Sequence, residues 1–336
     1  MLGRRMMQPK AKGFTLVEIM ISLFIGAFIL GGVMFTYIGM KQTTSDTADL
    51  GELQESGRLV MDILKRDIEM SGFWGNFNMV PDVNLLAGTL PDAPNPDCFA
   101  GENNATFPAA SNRGFRQLFA IEAANNPVMN CIDSANLGSD VLQIKRVMGE
   151  NVKDMPTALN QHYFVSSNDS ARIVKANGGV INANNNEKVW EYMHNIYFVE
   201  DQTYLLNGED RIIPTLRRMR LISGEMGVET IMEGVENIRL IFGLDTNGDN
   251  RVDIYRTTAQ MTEADWAQQG AVVATVQVFL LVRTLQEDLT NVQEQTFIMG
   301  GEGDTARTLI FNDGFRRKML TSTIRLLNGG EDKWAI

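Results

Sequence analysis

From Phe14 to Met40 the chain reads FTLVEIMISLFIGAFILGGVMFTYIGM, 27 residues with one charge, Glu18. About 20 apolar residues at 1.5 Å rise per residue cross a hydrocarbon core of ~30 Å, so this run is long enough to span a bilayer as a helix. The segment before it carries Arg4, Arg5, Lys10 and Lys12 and no acid. Basic flanks stay on the cytoplasmic side, which places residues 1–13 inside and everything after Met40 across the membrane. A secretory signal ends in a cleavage site of small residues, and Thr36-Tyr37-Ile38-Gly39-Met40-Lys41 offers none. A carboxylate inside such a run is unfavourable unless partnered. Glu18 is therefore a functional candidate, with a snorkelling interfacial acid as the plainer alternative.

Composition narrows the function classes. A chain of 336 residues with 44% hydrophobic residues, 21% charged residues and 9 prolines is a folding chain of one large domain or two modest ones. Its 30 basic against 41 acidic side chains argue against a broad basic face, so no nucleic-acid partner is expected. Two Cys and two His leave little for a zinc site or for nucleophilic catalysis. No convergent set of titratable groups is legible, and the chain is not expected to be an enzyme.

A short basic leader, then Gly13, Phe14 and an acid five residues into the apolar run form the arrangement KGFTLVEIMIS. This resembles the type IV prepilin signal. The resemblance implies that a prepilin peptidase at the inner membrane cuts between Gly13 and Phe14 and methylates the new N-terminal Phe14. It also implies that Glu18 pairs with the N-terminal amine of a neighbouring subunit during assembly. Gly26, Gly31, Gly32 and Gly39 lie in the same helix, where they serve either close helix packing or nothing beyond the usual glycine content of membrane helices.

Past the membrane, Leu53, Val60, Ile63, Leu64 and Ile68 recur at i, i+3, i+4 spacing, with Glu52, Glu55, Arg58, Asp62, Lys65 and Glu69 elsewhere, and Ser71-Gly72 closes the pattern. The two halves predict one helix of roughly 55 residues, about 80 Å long. The stretch LVMDILKRDIEMSGFWG is similar to the stalk end of PilW-type minor pilins.

Residues 76–136 mix Pro81, Pro91, Pro94, Pro96 and Pro108 with Asn, Asp and Gly, and show no sustained period, so a loop-rich surface segment is expected. It holds Cys98 and Cys131, which an oxidising compartment favours as a disulfide over two free thiols. From Asp140 onward, short alternating runs such as DVLQIKRV, ARIVKA, VWEYMHNIYFVE, QTYLLN, TLRRMRLI, ENIRLIFGL, TVQVFLLVRT and KMLTSTIRLLN predict antiparallel β-structure. His162 and His194 fall in or beside such runs and are expected as strand or turn residues. The expected class is α+β, a long N-terminal helix packed on an antiparallel β-rich head. Its parts are a leader at 1–13, a membrane helix at 14–40, an amphipathic stalk at 41–72, a loop-rich segment at 73–139 and the head at 140–336.

After ENIRLIFGL comes DTNGDNRVD, with Asp245, Asn247, Asp249, Arg251 (through its carbonyl) and Asp253 at positions 1, 3, 5, 7 and 9 of a calcium loop. Position 6 is Asn250 instead of Gly, and position 12 is Arg256 instead of a bidentate Glu. A Ca²⁺ site is expected here, against a solvated Asp/Asn/Gly hairpin turn. The segment that follows places Thr262 and Asp265 to start a short helix.

The C-terminal VQVFLLVRT and FRRKMLTSTIRLLNGG also resemble the last strands of PilW-type proteins. Together the resemblances imply a minor pilin that primes a type IV pilus and sits near its tip with other minor pilins, the major pilin and a possible tip adhesin. Its head would be periplasmic, anchored by one inner-membrane span. The alternatives are a minor pseudopilin of a type II secretion system and, in another class, a membrane-anchored periplasmic calcium-dependent binding module. Removing the leader takes away four cations and leaves 26 basic against 41 acidic side chains, nearly all of them after Met40.

Overall fold

The computed structural model describes residues 13–328 apart from 79, 207, 289–291 and 302. The leader calls at Arg4, Arg5, Lys10 and Lys12 lie outside the described residues. One helix, α1 (Leu16–Glu69, 54 residues), covers both predicted halves, and residues 1–51 and 52–336 form two compact units.

In the first unit every large apolar side chain from Phe14 to Met40 is exposed. In the second unit α1 continues as an amphipathic helix. Leu53, Val60, Leu64 and Ile68 are buried and Ile63 is partly so, which is the stripe read from the spacing. Burying an aliphatic side chain of this size contributes about 1.5–3 kcal/mol, so this stripe is the main attachment of the stalk. Gly57 lies against Leu320, and a Cβ there would sit 2.5 Å from Leu320 Cδ1. The helix ends where Gly72 adopts φ +73, the left-handed conformation favoured just past a helix end, and a Cβ at Gly72 would also collide with the Gln117 amide.

In chain order the strands of the second unit are β1 (Leu118–Glu122), β2 (Asp140–Asn151), β3 (Leu159–Ser166), β4 (Ala171–Asn177) and β5 (Lys188–Leu206). They continue with β6 (Glu209–Ile222), β7 (Glu225–Glu233), β8 (Val235–Asp245) and β9 (Ile254–Thr257). After the short helix α2 (Glu263–Trp266) come β10 (Val272–Arg283), β11 (Gln293–Met299), β12 (Arg307–Asp313) and β13 (Arg317–Arg325).

Seven strands make one antiparallel sheet, β1-β2-β5-β3-β4, with β6 also on β5 and β7 on β6. β5 organises it. One edge takes β2 along Trp190–Tyr197, while the other takes β3 along Lys188–Glu191 and then β6 along Asn195–Leu206. A second sheet runs β13-β10-β8-β9, and β11 and β12 form a separate hairpin. Asp140 joins all three: its carboxylate accepts from Arg307 of β12 (2.7 Å), from the Leu240 N–H of β8 (2.7 Å) and from Thr258 (2.8 Å).

The α+β class is as read from the sequence. Two differences in detail have physical causes. The VWEYMHNIYFVE and QTYLLN runs are one strand, because Asp201–Leu206 keeps pairing with β6 beyond the edge of β2. The segment 73–139 contains β1, which pairs with β2 although LFAIE is too short to show a period. α2 begins as expected, with a Thr262–Asp265 capping box.

Candidate processing and assembly site

The sequence-predicted features fall in both units: Gly13, Phe14, Glu18 and the helix glycines in the first, and the disulfide, the two histidines and the acidic turn in the second. At the N-terminus, Thr15 is the N-cap of α1 and Glu18 its third helical residue. The Thr15 N–H and Oγ1 both donate to Glu18 Oε2 (2.9 Å each), and the Glu18 N–H donates back to Thr15 Oγ1 (3.3 Å). This is a capping box, which satisfies helix-start donors that have no intrahelical acceptor. The helix therefore begins at Leu16 and leaves the Gly13–Phe14 bond in non-helical chain. Phe14 is fully accessible at 84% exposure. Among the described residues, nothing beyond the helix's own backbone crowds Gly26, Gly31, Gly32 or Gly39.

At the other end of α1, Asp67 is buried at 4% exposure, one residue before the apolar Ile68. Its Oδ1 accepts from Arg146 Nε (3.1 Å) and a terminal Arg146 nitrogen (2.5 Å); its Oδ2 accepts from Asn195 Nδ2 (2.7 Å) and Tyr197 Oη (2.6 Å). Burial and the Asp67 charge push the Tyr197 phenol above its usual range, so it stays a donor. Arg218 continues the chain to Glu229 of β7 (2.7 Å). Sequence reasoning missed Asp67, since one acid among several charged stalk residues looks solvated. Its one signal is position: Asp67 directly precedes Ile68 and lies three and four residues beyond Leu64 and Ile63.

The opposite face of the large sheet is covered by the loop-rich segment, which the Cys98–Cys131 disulfide closes. Beneath it Lys145 donates to the backbone oxygens of Asn104 (2.6 Å) and Arg116 (3.0 Å) and lies over the Phe115 ring at 4.6 Å. His194 lies between Thr106 Oγ1 (3.0 Å) and the Gln143 amide (2.8 Å). Burial, and then the Lys145 charge, hold His194 well below its usual range. His162 is buried against Phe107, and neither of its ring nitrogens has a hydrogen-bond partner among the described residues. Burial first, then Lys175, depress its pKa to about 4.

The acidic turn joins β8 to β9. Asp245 Oδ1 accepts from the N–H groups of Asn247 (3.2 Å) and Gly248 (2.6 Å), and its Oδ2 accepts from Asn250 (2.9 Å). Asp249 accepts from the Arg251 N–H (2.8 Å). Asp253 accepts from the Thr246 N–H (2.7 Å) and from Asn247 Nδ2 (3.1 Å). Asp245, Asn247, Asp249, Arg251 and Asp253 thus share one turn, with the carboxylates directed at its own donors. Among the described residues, no group of three or more His, Cys, Asp or Glu converges as a metal site.

Two family models match the chain. The prokaryotic N-terminal methylation motif matches residues 8–34, and the type IV pilus-assembly protein W family matches residues 196–328, which reach from within β5 to just past β13. No curated protein and no solved structure matches.

Proposed function

We propose that this chain, which matches the prokaryotic N-terminal methylation motif and the type IV pilus-assembly protein W family, is a PilW-type minor pilin that primes type IV pilus assembly and stays near the fibre tip. The observation that carries this reading is the contrast along α1. The residues up to Met40 expose an apolar surface with a single charge, Glu18, whereas the stretch from Leu53 to Ile68 buries its apolar stripe and one carboxylate in the head. Apolar area on this scale is stable only in lipid or against other apolar helices. A chain that moves from membrane to fibre requires both environments in turn.

Processing follows from the same segment. Prepilin peptidase would cut Gly13–Phe14, and other pilins would meet Phe14 and the apolar helix. Glu18 would then exchange its local bonds to Thr15 for the amine of a neighbouring subunit. Two opposite charges in a low-dielectric contact fix register, because either one left alone is strongly unfavourable. The head faces the periplasm and chooses partners.

Mass spectrometry of membrane-derived protein tests the processing: the N-terminus should be methylated Phe14, and any other N-terminus overturns the reading. For the priming role, a deletion strain should lose most surface pili. Normal piliation in the deletion strain counts against priming, and normal piliation with impaired type II secretion favours a pseudopilin.

A further inference from the structure

We propose that Lys145 and Asn104 are joined, once the head has folded, by an isopeptide bond between Lys145 Nζ and Asn104 Cγ. Both residues are completely buried, at 0% exposure each. The amine lies 2.6 Å from the backbone oxygen of Asn104 itself. The Asn104 carboxamide lies on the same face of β2, since its Nδ2 donates to Gln143 Oε1 (3.3 Å) and Gln143 stands two residues from Lys145 in the strand. Its Oδ1 accepts from the Ala100 N–H at 2.9 Å, a donor placed to hold negative charge on that oxygen. The Phe115 ring lies against the amine.

Among the described residues no ion pair neutralises Lys145, and burial drives its pKa well down, with the Asp97 charge opposing. The amine becomes the nucleophile on losing its proton, and its hydrogen bond to the backbone oxygen of Asn104 holds it next to that residue in a water-poor site, which supplies proximity. The Nζ lone pair attacks Cγ, and the C=O pair moves onto Oδ1 under the Ala100 N–H. On collapse the Cγ–Nδ2 bond breaks. Its electron pair leaves with Nδ2, which takes one proton from Nζ, so amine plus carboxamide become a secondary amide plus ammonia. No oxidant or cofactor enters. The bond would tie the loop segment to β2 independently of the disulfide, in a head that transmits force if the proposed pilus role holds. The chemistry itself does not depend on that role.

The test is the intact mass of the full chain, purified from membranes and reduced, followed by tryptic mapping. The expected result is a mass one ammonia below that of the processed sequence, with the Asn104 and Lys145 peptides recovered as one joined species. Lys145→Arg and Asn104→Ala should each restore the missing ammonia. A wild-type mass equal to the processed sequence overturns the proposal. So does an ammonia deficit that persists in Lys145→Arg, which identifies a succinimide at Asn104 instead.

Discussion

Replacing Asp67 by Asn changes one atom type at the point where the stalk helix meets the large sheet. The carboxylate accepts four hydrogen bonds, two of them from the Arg146 guanidinium, and the side chains of the pair are 6% and 10% exposed. Asparagine keeps one acceptor oxygen and turns an NH₂ toward groups that are themselves donors. Arg146 is then a buried cation without its counter-ion, and breaking such a pair from one side costs about 3–5 kcal/mol. At roughly 2 °C per kcal/mol, near the lower end of the scale for large domains, this is about 6–10 °C in melting temperature. Thermal unfolding of the full chain in detergent, followed by circular dichroism, reads it directly. The double variant Asp67→Leu with Arg146→Met removes both charges and should recover most of the loss, because no unpaired ion is left behind. An Asp67→Asn protein within about 1 kcal/mol of the parent would refute the reasoning, since the residue would then be acting as a solvated surface acid.

His162 gives a pH dependence with a definite sign. Its folded-state pKa of about 4 lies below its unfolded value of 6.5, so the folded state binds fewer protons. Its contribution is therefore complete above pH 6.5, falls as the pH drops from 6.5 to about 4, and is constant below. The span is on the order of 3 kcal/mol, and His162→Phe should flatten that part of the stability–pH curve; an unchanged slope refutes the assignment. Gly57→Leu should displace Leu320 and cost about 1–3 kcal/mol of overpacking, and an unchanged melting temperature would show that the helix gives way freely at this point. We propose calcium at the 245–253 turn from the spacing of its oxygens, and a bound ion would have to compete with the turn's own donors for the carboxylates. It predicts a melting temperature that rises with CaCl₂ and a rise that Asp249→Ala abolishes; no rise in the parent overturns it.

Local chemistry made the N-terminal half legible. A membrane run, a leader charge and the Gly13-Phe14 junction are properties of neighbouring residues, and an amphipathic stripe declares itself through a 3.6-residue period that needs no knowledge of the partner surface. Strands with alternating or strongly apolar runs were readable for the same reason, as in β4, β6 and β10. β7, β11 and β12 also alternate in the structure, but β7 is only partly buried along most of its length and the hairpin covers little core, so their runs are not strongly apolar. The Thr15–Glu18 capping box is written in the sequence at i, i+3 spacing, yet the interest of Glu18 as a membrane acid obscured it.

What the tertiary structure alone decided is which polar groups are buried and against what. Asp67, Lys145, Asp140 and His162 look like ordinary charged or polar residues in sequence, because burial depends on elements brought together from 30 or more residues away. Lys145 meets a loop residue 41 positions earlier, and Asp140 meets Arg307, 167 positions later. The spacing of the acidic turn raised the expectation of a cation, and the fold directed those carboxylates at backbone N–H groups. Sequence by itself determined an apolar helix that cannot remain in water and an acidic head that can. Folding decided how the stretch of α1 from Leu53 to Ile68 is fastened to the large sheet, because a desolvated charge such as Asp67 is tolerable only where its partners have already been positioned.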